Sequence, residues 1–308
     1  MGIKEKITSI PTSIKNKVIQ LRQFDIRSLT PKSAKQAINS LIIYSILIAT
    51  MIIMIFPFFW VFLASFRTSL QIFTDPWALP TSYSLENYFV AIERANLGLT
   101  ILNSTFVTFA SLAGLAILAP PAAYIMAKPI KGMRFIFYFA IMGMFVPSAV
   151  TIIPLIVILR VLGLTNTLWG LVVAYVGGSM PYCLIIQRAS FMAVPPQLEE
   201  SAKIDGLSAF HRFYKIALPI AMPGIITSLI IQGIFFWNDF FNPLILIRSR
   251  RNFTLQLALA AFKGSFGFEI ATLAAGVLLS LIPILVFYIV FADFIRRGIA
   301  GGVGIKGL

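Results

Sequence analysis

The strongest constraint on the fold is a set of long apolar runs with almost no charge. Residues 39–66 read NSLIIYSILIATMIIMIFPFFWVFLASF. A helix needs about 20 apolar residues to cross a hydrocarbon core roughly 30 Å thick. Five more runs qualify, near residues 101–126, 135–159, 168–186, 220–240 and 271–294. The second carries Pro120-Pro121 and is expected to bend or break near its end. Pro147 and Pro154 mark the third, Pro181 the fourth and Pro283 the sixth; the fifth opens through Pro219 and Pro223. Mean hydropathy is +0.90 and only 12% of residues are charged, too little polar surface for a soluble domain. Since lipid offers the backbone no hydrogen bonds, helical runs of this length span as helices. The expectation is an all-α integral membrane protein with six transmembrane helices.

The formal net charge of +14 would suggest nucleic acid in a soluble protein. Basic loops that set membrane orientation account for it better, so no nucleic-acid partner is expected. With the N-terminus inside, 18 of the 25 Lys/Arg fall in inner segments and 7 in outer ones, which favours an N-in, C-in topology. Residues 1–36 form a basic tail with no apolar core of signal-peptide length, and residues 37–308 a six-helix transmembrane domain. Ile14, Val18 and Leu21 lie at helical spacing in that tail, so it is either a surface-bound helix or disordered. The outer loop 67–100, rich in Pro, Ser and aromatics, is expected to fold against the outer face. The Gly-rich end, 298–308, is expected to be extended. Cys183, the single cysteine, and His211, the single histidine, permit neither a disulfide within the chain nor a metal site.

One polar stretch interrupts this pattern between the fourth and fifth runs, within residues 188–219. Pro195-Pro196 can start a helix, and Glu199 and Glu200 in its first turn complement the helix dipole. Gly206 suits a left-handed cap, and Ser208 can cap a second helix. On that helix Phe210, Phe213, Tyr214 and Ala217 share one face, opposite His211, Arg212 and Lys215. Leu218-Pro219 is expected to end it and kink the chain into the fifth run. Physics leaves two readings open, a structural loop or a docking surface whose small residues admit a close approach.

The spacing Glu200-Ser201-Ala202, then Gly206, then nine residues, then Ile216-Ala217-Leu218-Pro219 resembles the E-A-A-x3-G-x9-I-x-L-P pattern of permease subunits of bacterial binding-protein-dependent ABC importers. Ser201 is its one departure. The stretches LNSTFVT, VPSAVTIIPLIVILRVLGLTNTLWGLV, WNDFFNPLIL and FIRRGIAGGVGIKG resemble the MalG-like carbohydrate branch. The resemblance covers residues 102–308 well and the first run loosely. It implies a type I ABC importer permease fold in the inner membrane and half of a sugar translocation pathway. It also implies a second, MalF-like permease, a cytoplasmic ATPase dimer that holds ATP and Mg, and an extracytoplasmic sugar-binding protein. By the same resemblance Glu200, Ser201, Ala202, Asp205 and Gly206 meet the ATPase, and Leu218 and Pro219 pass its movement into the fifth run. No cofactor is expected on this chain. It has no G-x-x-x-x-G-K-[ST] sequence, and GGVGIKGL has the wrong spacing.

Other polar residues carry two readings each. Gln232 could bond a sugar hydroxyl or join helices. Asn238 and Asp239, beside Trp237, could meet substrate, or Asp239 could pair with an outer arginine. Arg248, Arg250 and Arg251 run against the charge bias and form either a solvated loop or a docking site for the binding protein. Two other function classes compete. An ion-coupled secondary transporter would show inverted repeats and a buried midplane acid. A membrane hydrolase would need a nucleophile and base within the bilayer.

Overall fold

The computed structural model describes residues 34–265 and 269–303; the two readings of the basic tail, a surface-bound helix or a disordered segment, fall on residues outside the described ones. The chain forms two compact units, residues 1–60 and 61–308. The described part of the first is helical, the body of α1 (Ala34–Ala64), which continues through Pro57.

The second unit is helical throughout, with no strand among the described residues. Two short helices, α2 (Ser69–Thr74) and α3 (Glu86–Arg94), fold the loop expected on the outer face. A capping box between Thr68 and Gln71 starts α2. Arg67 is 4% exposed, and its guanidinium donates to the carbonyls of Gln71, Asp75 and Pro76. It is therefore an internal brace of the loop, not a solvated outer charge. Asn87 closes the knot by donating to the carbonyls of Ser65 and Arg67 at 2.8 Å.

The core is built from α4 (Leu97–Ala127), α7 (Leu168–Met192) and α10 (Leu218–Asn238), with α13 (Ile270–Val303) packed on α10. Small and hydroxyl residues line these contacts, as they do where packing in lipid must come from close approach. An added Cβ at Gly114 would come within 2.8 Å of Val176, and one at Gly224 within 1.8 Å of Ser190 Oγ. Gly114 thus sets the α4–α7 contact and Gly224 the α7–α10 contact.

Among the described residues four helices are long and apolar enough to cross a membrane, Ile38–Ala64, Leu97–Ala127, Leu168–Met192 and Ala209–Asn238, or five if the bent pair described below is one span. Two expectations are overturned: a break at Pro120-Pro121 and an extended Gly-rich end. The Pro120-Pro121 pair does not break α4, which runs on to Ala127. Ala119 and Ala123, fully buried on either side of the pair, pack into separate clusters against α7 and offset the lost hydrogen bonds. The third run is instead broken. α5 (Met133–Met142) and a 3₁₀ turn (Gly143–Phe145) give way to α6 (Ser148–Val161), with a bend of 107° between the two halves. Val146 is extended at φ −82°, ψ 120°, the conformation that a following proline imposes. The Gly-rich end is helical as far as Val303, because extending an existing helix costs far less than starting one.

Candidate coupling insert and polar sites

Between α7 and α10 the chain forms α8 (Pro196–Ile204), α9 (Ala209–Arg212) and a π turn (Phe213–Ala217). Pro196 occupies the first helical position of α8, where a missing N–H is harmless. Its other end is a Schellman cap. Gly206 N–H donates to Lys203 O at 3.1 Å and Leu207 N–H to Ala202 O at 3.0 Å, with Gly206 at φ +80°. Ser208 starts α9, its hydroxyl lying 2.8 Å from His211 Nδ1 and accepting weakly from the His211 N–H.

The expected stop at Leu218-Pro219 does not occur. Leu218 N–H bonds Phe213 O five residues back, and residues Ala209–Asn238 form one helical stretch. The wider turn carries the helix past Pro219, whose ring would clash in an ordinary α turn. It also shifts the helical phase, so the single aromatic face expected there is divided. Phe213 and Ala217 pack inward, while Phe210 and Tyr214 stack at 6.3 Å and stay exposed.

The inner side of the insert is clamped against α4 and α7. Glu199 of α8 pairs with Lys128 at the end of α4 and accepts from Tyr124 OH at 3.0 Å. The Tyr124 ring meets Phe191 of α7 edge-on at 5.5 Å and Phe213 of the π turn at 5.1 Å. Arg188 of α7 donates to Met126 O at 2.9 Å, capping α4, and its guanidinium lies 4.3 Å from the Phe137 ring. The sequence reading gave Glu199 only a dipole role and passed over Lys128, Tyr124 and Arg188. Glu199 and Lys128 are far apart in sequence, and only the meeting of α4 with α8 pairs them.

On the outer side of the insert, Glu200, Ser201, Asp205 and Gly206 are exposed, and Ile204 is 87% exposed. Ala202, expected among the contact residues, is buried at 5% and faces the protein's own interior. Leu218 is half-buried and Pro219 exposed. A Cβ at Gly206 would meet open space, so only backbone conformation demands glycine there.

The polar residues of α10 have partners within this chain. Ser179 Oγ donates to Gln232 Oε1 at 2.8 Å, joining α7 to α10. One turn deeper, Gln187 Nε2 donates to Ser228 Oγ at 3.0 Å. Gln232, 7% exposed, thus joins two helices of this chain. Asp239 accepts from Tyr175 OH at 2.8 Å, Asn242 Nδ2 at 2.7 Å and the Phe241 N–H at 3.0 Å. These neutral donors take the place of the arginine expected there. Asn238 is exposed and donates to Ile234 O at 2.8 Å. Trp237 is 9% exposed, inside the helix packing.

Arg248, Arg250 and Arg251 keep exposed side chains on a firmly held backbone. Asn166 Oδ1 accepts from the N–H groups of Arg248 and Ser249 at 2.8 and 2.9 Å. Asn103 Nδ2 donates to the carbonyls of Arg251 and Phe253, each at 2.9 Å. Arg250 and Arg251 line a cavity of about 500 Å³ with Arg94, Thr100 and Phe253. Arg94 pairs with Glu269. Among the described residues no group of three or more His, Cys, Asp or Glu could hold a metal ion.

The profile of the family described as "Binding-protein-dependent transport system inner membrane component" matches residues 119–300, which include α7, the clamped insert and α10. The chain belongs to this family. The permease is 32% identical over 263 residues to the diacetylchitobiose uptake system permease protein NgcG of Streptomyces coelicolor, covering 84% of this chain and 86% of that one. It is 31% identical over 254 residues to the trehalose transport system permease protein SugB of Mycobacterium tuberculosis, covering 82% and 92%. The crystal structure of a bacterial ABC transporter that imports the acidic polysaccharide alginate contains a chain of the same fold. Its TM-score is 0.72 at 22% identity, over 86% of this permease and 99% of that chain. The permease is thus a multi-pass cell-membrane protein with the type I ABC importer permease fold, a transport subunit by family.

Proposed function

We propose that this permease forms half of the pathway of an ATP-driven carbohydrate importer and receives its driving force through the insert. One observation carries the coupling reading. The surface from Glu200 to Tyr214 is exposed on one side and clamped on the other, and from Ala209 on it is continuous by helix with α10. In this reading Glu200, Ser201, Asp205, Gly206, Ile204 and Phe210 meet a cytoplasmic ATPase dimer, where ATP and Mg are bound. Ala202 supports that face from within. Leu218 and Pro219 lie in the helix that carries the movement into the membrane, which needs a rigid connection between two discrete arrangements.

Carbohydrate as the cargo is supported by the diacetylchitobiose and trehalose relatives. A second, MalF-like permease completes the pathway, an extracytoplasmic binding protein delivers the sugar, and the six-span, N-in arrangement puts the insert on the ATPase side. Arg248, Arg250 and Arg251, held by Asn166 and Asn103, present positive charge to that binding protein. The ion-coupled alternative is not favoured, since the family is one of binding-protein-dependent systems.

The test is co-purification with the ATPase subunit and sugar uptake in cells. Gly206→Glu is expected to insert normally yet lose ATPase association or coupling. Normal uptake in that variant would overturn the coupling reading. A cognate binding protein that takes up no sugar would overturn the cargo.

A further inference from the structure

A cavity of about 300 Å³ lies where α6 ends, before α7 begins. Leu159 and Arg160 of α6, Thr165 and Asn166 of the next loop, and Leu246 and Arg248 around the end of α11 (Phe241–Leu246) line it. Its polar side chains, Arg160, Thr165, Asn166 and Arg248, can all donate hydrogen bonds, and among the described residues no acid lines it. Neither guanidinium nor the Thr165 hydroxyl has a partner among the described residues. The Asn166 amide oxygen is already taken by the N–H groups of Arg248 and Ser249. Two cations around one cavity, with no acid beside them, raise the local positive potential, which an anion relieves.

The level of the cavity identifies the anion. α6 carries no charge before Arg160, and the stretch from Leu168 to Ile186 carries none either. α7 is one of the helices long and apolar enough to cross a membrane. The cavity therefore sits where two apolar stretches end, at the level where hydrocarbon gives way to headgroups. Trp169, three residues after Asn166, is exposed, as aromatic residues are at that level. Ile153, Val157 and Val161, spaced four apart on α6, are exposed and form an apolar stripe leading to the same end of the helix.

We propose that this cavity binds the phosphate of an anionic membrane phospholipid, held by the Arg160 and Arg248 guanidinium groups with the Thr165 hydroxyl as a further donor. Guanidinium forks suit phosphate oxygens, and the stripe on α6 takes an acyl chain. The carboxylate of a docked protein would match the charge but leave that stripe unused. Arg250 and Arg251 line the separate cavity beside Arg94, so the docking reading rests on them and does not need Arg248.

The test is native mass spectrometry of the full-length chain in detergent, titrated with dioleoylphosphatidylglycerol or with dioleoylphosphatidylcholine, whose choline cancels the phosphate charge. The wild-type chain should hold the phosphatidylglycerol more tightly. Arg160→Gln and Arg248→Gln should each lower that preference about fivefold, the worth of one basic residue near an anionic lipid surface. Both side chains are exposed, so their loss leaves the packing intact. Arg160→Lys should keep most of the preference. Arg250→Gln removes the same charge from a neighbouring loop position and should leave it unchanged. Equal binding of the two lipids by the wild-type chain would overturn the proposal, as would an equal loss in Arg250→Gln, which would mark a general effect of surface charge. Release of the bound lipid by inorganic phosphate at the lipid's own concentration would assign the cavity to a free anion, and release by the cognate binding protein would assign it to docking; either result overturns the lipid.

Discussion

Glu199 and Lys128 pair across the gap between α8 and the end of α4, so the insert is tied to a helix other than the two that it connects. Both side chains are partly exposed, at 16% and 28%, which places their direct contribution near the ~1 kcal/mol upper end for surface pairs. Glu199→Gln and Lys128→Met should each lower the thermal midpoint slightly, and the double variant should cost less than the two losses added. Strict additivity in that cycle would show that the pair is not coupled.

Gly206 stands at φ +80° with open space where a Cβ would go. Gly206→Asn should cost less stability than Gly206→Ala, because asparagine tolerates this conformation, and Gly206→Val should cost most. Thermal unfolding of the three variants gives the order, and a penalty that follows side-chain volume instead would point to a steric cause.

At Gly224 the cost is steric. An added Cβ would lie within 1.8 Å of Ser190 Oγ and 2.9 Å of its Cβ. Gly224→Ala should destabilise by about 1–3 kcal/mol, as overpacking does. Ser190→Gly should rescue it and Ser190→Ala should not, since alanine keeps the second contact. Equal rescue by both would show that α7 and α10 separate freely at this crossing.

The Ser179–Gln232 bond separates two roles for Gln232. As internal glue, Gln232→Leu should lower stability by about 1–3 kcal/mol through an unpaired Ser179, while Gln232→Leu with Ser179→Ala should recover much of it. Uptake kinetics should then show an unchanged apparent KM. A raised KM in the stable double variant would place Gln232 in the sugar pathway.

Replacing Arg67 tests whether the outer loop depends on it. Arg67→Lys should lose part of the fold of residues 68–85 and Arg67→Met more, because an ammonium group cannot reach three separate carbonyls as a guanidinium fork does. Limited proteolysis of that loop provides the measurement.

Four of the six expected spanning runs, and the helix-cap chemistry at Pro196, Gly206 and Ser208, were legible because each depends on neighbours in sequence. The Pro120-Pro121 pair and the Pro147 break show where that logic ends. Both are proline sites in apolar runs, yet at the first Ala119 and Ala123 pack on α7 and the helix stays unbroken, whereas Val146 has no comparable burial to resist its proline. The spacing from Glu200 to Gly206 marked the insert, but not which side of α8 would face inward, so Ala202 was grouped with its exposed neighbours. Asp239 was expected to seek a cation because it is an acid among outer arginines. Tyr175, on a helix far off in sequence, supplies the donor instead.

The continuous helix from Ala209 to Asn238 has a mechanical consequence. Gly224, where α10 packs tightly on Ser190 of α7, divides it into two nearly equal arms, each about 22 Å long. The crossing can act as a fulcrum. A tilt of about 5° there swings each tip by about 2 Å in opposite directions, given the same helical rise. Load applied at Phe210 would therefore arrive at Trp237 undiminished and reversed, with a mechanical advantage near one.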